Sequence, residues 1–201
     1  MKRIIVGVTG ASGSVYAVKL LEMMAGFDAE IHLVFSDTAK EVLEYETGES
    51  AESLAARLNS LILEKKSASS LVVHDNKTLS PSIASGSFRT EGMIIIPCSM
   101  ACAGRIANCS GSRLIERAAD VVLKEGRKLC LAVRETPLNR IHLKNLLSLS
   151  EAGASVYPAS PSFYGKPETI EQLASGFAAR ILDSFGFAPE NYREWGGFIP
   201  G

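Results

Sequence analysis

Apolar and polar positions along this chain follow two rhythms, and the switches between them mark out its elements. Ile4–Val8 is an apolar run, after which helical spacing predicts a helix from about Ser14 to Met24. "AEIHLVFSD" reads as a second strand ending at Ser36-Asp37, followed by a helix-like stretch holding Val42, Leu43 and Glu46. "AESLAARLNSLILEKK" sets Leu54, Leu58, Leu61 and Ile62 on one helical face. From Lys65 to Gly92 the chain turns polar, with "SLVVH" as a short strand and "SPSIASGS" as a loop. "GMIIIPCS" reads as a buried strand ended by proline.

The second half continues the alternation. "SRLIERAADVVLKEG" puts Leu114, Ile115, Ala118 and Val122 on one face and stops at Gly126. "KLCLAV" is the next strand, and Thr136-Pro137 reads as an N-cap and first-position proline opening "LNRIHLKNLLSLSEAG". "ASVYPAS" is a last short strand, and "PETIEQLASGFAARILDSFG" a last helix with Ile170, Leu173, Phe177 and Ile181 on one stripe. Strands separated by helices imply right-handed crossovers and a parallel sheet covered on both faces. The expected fold is one three-layer α/β domain over residues 1–201, with 187–201 as a C-terminal tail.

Ligands of such sheets bind outside the carboxyl ends of the strands. The residues expected there are Thr9–Ser14, Ser36-Asp37, Pro97–Cys102 and Arg134-Glu135. Thr9–Ser14 is a turn of glycines and hydroxyls at a strand-to-helix junction, where backbone N–H groups and the helix dipole favour a phosphate. No Gly-Lys-Ser/Thr follows it, and Gly7-x-x-Gly10-x-x-Gly13 is not the dinucleotide fingerprint, so the turn alone does not name its ligand.

Composition narrows the classes. The chain has 201 residues, 46% of them hydrophobic and 21% charged, with a formal net charge of -1. That balance gives no global field for nucleic acid or an anionic membrane. No apolar run approaches the roughly 20 residues of a membrane span, and the apolar start enters a glycine turn as a first strand does, unlike a signal peptide. Cys98, Cys102, Cys109 and Cys130 lack CxxC spacing, which argues against a metal site and fits reduced thiols in the cytoplasm.

Single residues carry weaker signals. Arg117 and Lys124 are two helical turns apart with Asp120 between them, which suits either a solvated ion-pair ladder or a cationic site for a phosphate ester. Arg180 lies at the edge of the last helix's stripe, where it must snorkel or find an anion. Tyr164 sits in the loop after the last strand. Cys98 reads as a small buried hydrophobe rather than a nucleophile, and His32 and His142 as structural.

Several runs together resemble the UbiX-like flavin prenyltransferases, formerly called aromatic acid decarboxylases. They are "GVTGASGSVYAVKLL", "ASGSFRTEGMIIIPCSM", "LIERAADVVLKEGRKLCLAVRETPLNRIHLKNLLSLSEAGA" and "PASPSFYGKPETIEQL". The resemblance runs from the first strand to Trp195, and the order and spacing of its motifs make it specific. It implies a Rossmann-like (flavodoxin-like) fold that binds FMN without a covalent link and without metal. It implies transfer of a dimethylallyl group from dimethylallyl phosphate to N5 of reduced FMN, with closure of a fourth ring. The prenylated FMN would serve a UbiD-type decarboxylase, and the subunits would form a homododecamer with sites at their junctions.

Carried over by position, the resemblance gives Gly10, Ala11, Ser12, Ser36, Ser99, Met100, Ala101, Cys102 and Arg134 as flavin-contacting residues. Glu46, Ser87, Arg117, Lys124, Tyr164, Arg180 and Trp195 match positions holding or surrounding the prenyl phosphate. Ser12 and Glu135 match the pair that handles protons, and Lys124 joins them as a reacting-site cation. The chain also departs from the pattern. Ala101 and Cys102 stand where many members have lysine and threonine, Arg105 is an unexpected charge offering a substitute for that lysine, and Ser112-Arg113 replaces Asp-Asn or Asn-Asn. A non-catalytic FMN carrier serving an aromatic acid decarboxylase system is the alternative these departures keep open.

Overall fold

A computed structural model describes residues 1–189. Six parallel strands form one sheet in the order β3-β2-β1-β4-β5-β6, the doubly wound order. They are β1 (Lys2–Val8), β2 (Ala29–Phe35), β3 (Ser70–Asp75), β4 (Gly92–Cys98), β5 (Lys128–Val133) and β6 (Ser155–Pro158). Between and after them run α1 (Ser14–Met24), α2 (Asp37–Thr47), α3 (Ala51–Glu64), α4 (Met100–Ala107), α5 (Leu114–Lys124), α6 (Arg140–Glu151) and α7 (Ile170–Ser184). The three-layer Rossmann-like expectation is met. The tail from residue 190, Trp195 included, lies outside the described residues.

The central strands read as unbroken apolar runs because both their faces are buried. Ile4, Val6 and Val8 of β1 pack with Ile94 and Ile96 of β4 into a core that takes in α1, α3 and α7. Ile5, Met93, Ile95 and Leu131 face the other way, into a second core with α4, α5 and α6. Each fully buried isoleucine contributes about 1.5–3 kcal/mol.

Four expectations need correction. Pro97 does not end β4: the strand continues to Cys98 through a cis Ile96-Pro97 bond and a shift of register against β5. Helix α4 follows at once and was not foreseen, because "MACAGRIA" is short and rich in small residues. Helix α6 is capped by Asn139, whose Oδ1 accepts the His142 N–H at 2.8 Å, and not by Thr136, which precedes a cis proline. Along α7 the buried stripe is Ala174, Phe177, Ala178, Ile181 and Leu182, while Ile170 is 71% exposed.

Candidate functional site

The turn after β1 is fixed from two sides. Thr9 donates its hydroxyl to Pro97 O at 2.8 Å and accepts the Ser99 N–H at 2.8 Å, latching the ends of β1 and β4 together. Arg134, just past β5, donates from Nε to the Ser12 carbonyl at 3.1 Å. Gly10 has no room for a side chain, since a Cβ there would run into Thr38. Gly13 caps α1 at a φ of 103°, a left-handed conformation that glycine adopts without strain.

The anion at this helix start is supplied by the protein. Glu46, near the end of α2, accepts the Gly13 N–H at 3.0 Å on each oxygen and the Ser14 N–H at 2.8 Å on Oε2. Burial pushes its carboxyl up, but the Ser12 hydroxyl, the Ser14 and Gly13 amides and the Ser14 hydroxyl outweigh that and hold it below the usual glutamate value. A helix N-terminus favours any anion, so a turn with the look of a phosphate loop holds a carboxylate. Ser12 therefore pairs with Glu46. The Glu135 carboxylate accepts the neighbouring Thr136 N–H at 3.0 Å and is exposed.

Beside the turn, at the point where the strand order reverses between β1 and β4, lies a crevice of about 350 Å³. Of the residues given for the flavin, Gly10, Ser36, Ser99 and Ala101 line it. Ser36 and Ser99 cap α2 and α4 by accepting the Ala39 and Cys102 N–H groups, and each hydroxyl keeps a proton to donate. Met100 and Cys102 instead turn their side chains into the second core, so these two residues offer a ligand only their backbone. Ala11 is likewise buried.

The opposite wall comes from residues the sequence did not single out as a group. Asn76, after β3, accepts the Ile115 N–H on Oδ1 at 3.0 Å and the Leu114 N–H on its carbonyl at 2.9 Å, which docks the start of α5 here. Arg105, Arg113 and Glu116 complete the wall. Of these, Arg105 and Arg113 stand out in the sequence only as departures from the family pattern, and Glu116 does not stand out at all. This donor set fits a flavin mononucleotide. The Gly10 and Ser12 amides have no partner among the described residues, two serine hydroxyls and two guanidinium groups face one crevice, and two helices begin at its rim.

The remaining expected residues fall into two other places. Tyr164 and Arg180 line a larger cavity of about 980 Å³ between the end of β6, the following loop and α7, with Lys19 and Glu171 also in its wall. Arg117 and Lys124 stand exposed on α5 outside that cavity, Arg117 against Asp120 at 2.8 Å and Lys124 against Glu125 at 2.9 Å. Ser87 belongs with them. Its loop lies so near the end of α5 that a Cβ on Gly86 would meet Glu125 and Lys124, and Arg127 donates to the Gly86 and Phe88 carbonyls at 2.9 and 2.7 Å.

The structural assignments of the other candidates hold. Cys98 is buried, and its contact with Cys102 together with burial raises its thiol pKa well above the ordinary value. His32 is buried between His74 and Glu30, at 2.8 and 2.9 Å, and His142 sits in the first turn of α6. Among the described residues no cluster of three or more His, Cys, Asp or Glu is placed to hold a metal, and no helix is long and apolar enough to cross a membrane.

Sheet order and crevice together define a doubly wound nucleotide-binding protein. The Flavoprotein family profile matches residues 1–182. The flavin prenyltransferase UbiX of Deinococcus radiodurans is 42% identical, over 96% of this chain and 93% of the relative. Among solved structures, AnUbiX (PadA1) in complex with FMN and dimethylallyl pyrophosphate superposes with a TM-score of 0.89 at 37% identity, covering 98% of this chain and 99% of that one. A dodecameric FMN-dependent UbiX-like decarboxylase from Escherichia coli O157:H7 gives 0.88 at 43% identity, covering 97% and 100%. The chain belongs to the Flavoprotein family and, within it, to the UbiX-like flavin prenyltransferases.

Proposed function

We propose that this protein is a flavin prenyltransferase, moving a dimethylallyl group from dimethylallyl phosphate to reduced FMN. Its product is prenylated FMN for a UbiD-type decarboxylase, and its working form is a cytoplasmic homo-oligomer, a dodecamer like its Escherichia coli relative. The observation that carries the reading is the Ser12–Glu46 pair, two residues along the chain from Gly10 in a crevice whose donors suit FMN.

When bound, the reduced flavin supplies the nucleophilic nitrogen. The protein does the rest. The amides of the opening turn and the hydroxyls of Ser36 and Ser99 hold the flavin, while Arg134 keeps the turn in place. Ionising an allylic phosphate creates an anion that fixed cations stabilise. Arg180 and the Tyr164 hydroxyl supply one side of that site from the larger cavity. Arg117 and Lys124 supply the other side from a neighbouring copy. Closing the fourth ring through a carbon–carbon bond takes up one proton at the prenyl double bond and gives one up at the flavin ring carbon, and Ser12 with Glu46, held ionised by its donors, would carry the proton between them.

Anaerobic incubation with reduced FMN and dimethylallyl phosphate, followed by mass analysis of the released flavin, tests this. The expected flavin is heavier by one five-carbon unit, and the gain is lost in Ser12→Ala. Unchanged FMN, still bound stoichiometrically, would instead establish a flavin carrier.

A further inference from the structure

Arg105, the unexpected charge in the family pattern, and Glu116, which no reading so far has used, meet in the wall of the FMN crevice. Arg105 Nε donates to Glu116 Oε1 at 2.8 Å. The other carboxylate oxygen accepts the Arg113 N–H at 3.0 Å, and Glu116 is only 4% exposed. A Cβ on Gly111 would overlap the Glu116 side chain, so this glycine makes the space for it. Both oxygens are thus held by fixed donors, and the carboxylate is a rigid anchor rather than a solvated charge.

What the anchor holds is a guanidinium with donors to spare. A guanidinium carries five N–H groups in a planar fork, and Nε uses one of them. The two Nη groups remain, on a side chain that is 45% exposed and lines the crevice. Ala101, one helical turn before Arg105 on α4, lines the same crevice. The alanine methyl leaves that space open. Glu116 is matched by Arg105, and Asp37 is drawn to Lys77 outside the lining at 3.2 Å, which leaves Arg113 without an acidic partner among the described residues. Helices α2 and α4 start at its rim, through Ser36 and Ser99.

Two guanidinium groups, two helix starts and two hydroxyls around one small space are a receptor for a phosphate monoester. We infer that Arg105 binds the phosphate of FMN and that Glu116 is the residue that positions it. The inference rests on the FMN-binding reading above. The flavin phosphate is favoured over the prenyl phosphate because Tyr164 and Arg180 line a different cavity.

Fluorescence titrations with oxidised FMN and riboflavin, which differ only by the phosphate, test it. The native protein is expected to bind FMN more tightly, with a preference that weakens as salt rises. In the double variant Arg105→Met, Glu116→Gln, which removes both charges at once, the FMN-to-riboflavin preference falls by about tenfold while riboflavin affinity is unchanged. Glu116→Gln alone gives a smaller loss of the same preference. Should the double variant not fold, Arg105→Lys serves, since its single ammonium is taken by Glu116 and the preference still falls. An unchanged preference overturns the inference, and so does an equal loss of both flavins, which marks a merely structural pair. Dimethylallyl phosphate displacing FMN but not riboflavin would move the subsite to the prenyl donor and overturn it too. A native protein that binds neither flavin overturns the FMN-binding reading itself.

Discussion

Replacing Glu46 by glutamine removes one charge and keeps the side chain's length. In the native protein the carboxylate closes the start of α1 through the Gly13 and Ser14 amides at 2.8–3.0 Å, and it takes the Ser12 hydroxyl as well. Glutamine keeps one oxygen to accept these donors and sets an NH₂ against the rest. A charge at a helix N-terminus is worth about 0.3–1 kcal/mol, and bonds to a charged acceptor exceed neutral ones by a similar amount. Glu46 is exposed, so the low end applies, about 1 kcal/mol or a Tm drop of about 2–4 °C. A proton-accepting role predicts a much larger effect on turnover. Formation of prenylated flavin should fall by about 10²-fold or more, as removal of a general base typically costs. Ser12→Ala should cost a similar factor, and the double variant little more than either single one, because the two act as a unit. The native acid limb, set by ionisation of Glu46, should lie below 4.5 and disappear in the glutamine variant. Turnover within about threefold of native, or a loss fully recovered by cooling below the lowered Tm, would reduce Glu46 to a helix cap and refute the relay.

Other consequences follow from the same geometry. His74, hydrogen-bonded to His32 at 2.8 Å, with Glu30 and then Arg3 beyond that ring, has its pKa lowered by burial and by the His32 charge. The unfolded chain therefore binds the proton more readily, so stability from this residue is complete above about 6.5 and declines as pH falls through and below that value. Urea unfolding at stepped pH should show that decline, and His74→Asn should flatten it. Arg127→Ala removes two bonds to the 86–88 loop and should cost about 1–3 kcal/mol, with faster hydrogen exchange confined mainly to that loop. Thiol titration of the native protein should modify Cys109 quickly and leave Cys98, Cys102 and Cys130 to react only on unfolding. Finally, Lys124→Ala and Arg180→Ala proteins, each inactive alone, should recover part of the activity when unfolded and reassembled together. No recovery would refute a prenyl-phosphate site shared between copies.

The sequence made the layers legible because each central strand is buried on both faces, and runs such as "MIIIP" occur in few other settings. Helix α4 escaped because it is only eight residues long and its buried face, Met100, Cys102, Ala103 and Ile106, is half made of small side chains, and Asn139 was passed over as a cap because a Thr-Pro pair lay three residues before it. At the site, the residues of the turns themselves were legible: Gly10, Ser36 and Ser99 do line the crevice. Contacts between distant segments were not. Nothing in the spacing of Ser12 and Glu46 says that a carboxylate on α2 closes the turn before α1, and the Arg105–Glu116 pair joins two helices separated by a loop. Such pairings are properties of the packed layers and become visible only once the layers are placed.

The same layers decide how the cations can work. Arg180 rides on α7, which packs through Phe177, Ala178 and Ile181 into the core on one face of the sheet. Arg117 and Lys124 ride on α5, which packs through Leu114, Ile115, Ala118 and Val122 into the core on the other face. Between them stands a sheet whose backbone groups are bonded strand to strand, and rotation of a side chain does not cross it. Within one chain these cations therefore cannot close on one phosphate. The arrangement makes sense if each copy contributes Tyr164 and Arg180 to its own site and Arg117 and Lys124 to a neighbour's. Ionising the prenyl phosphate then waits on assembly, since an isolated subunit holds only part of the charge needed to stabilise the departing anion.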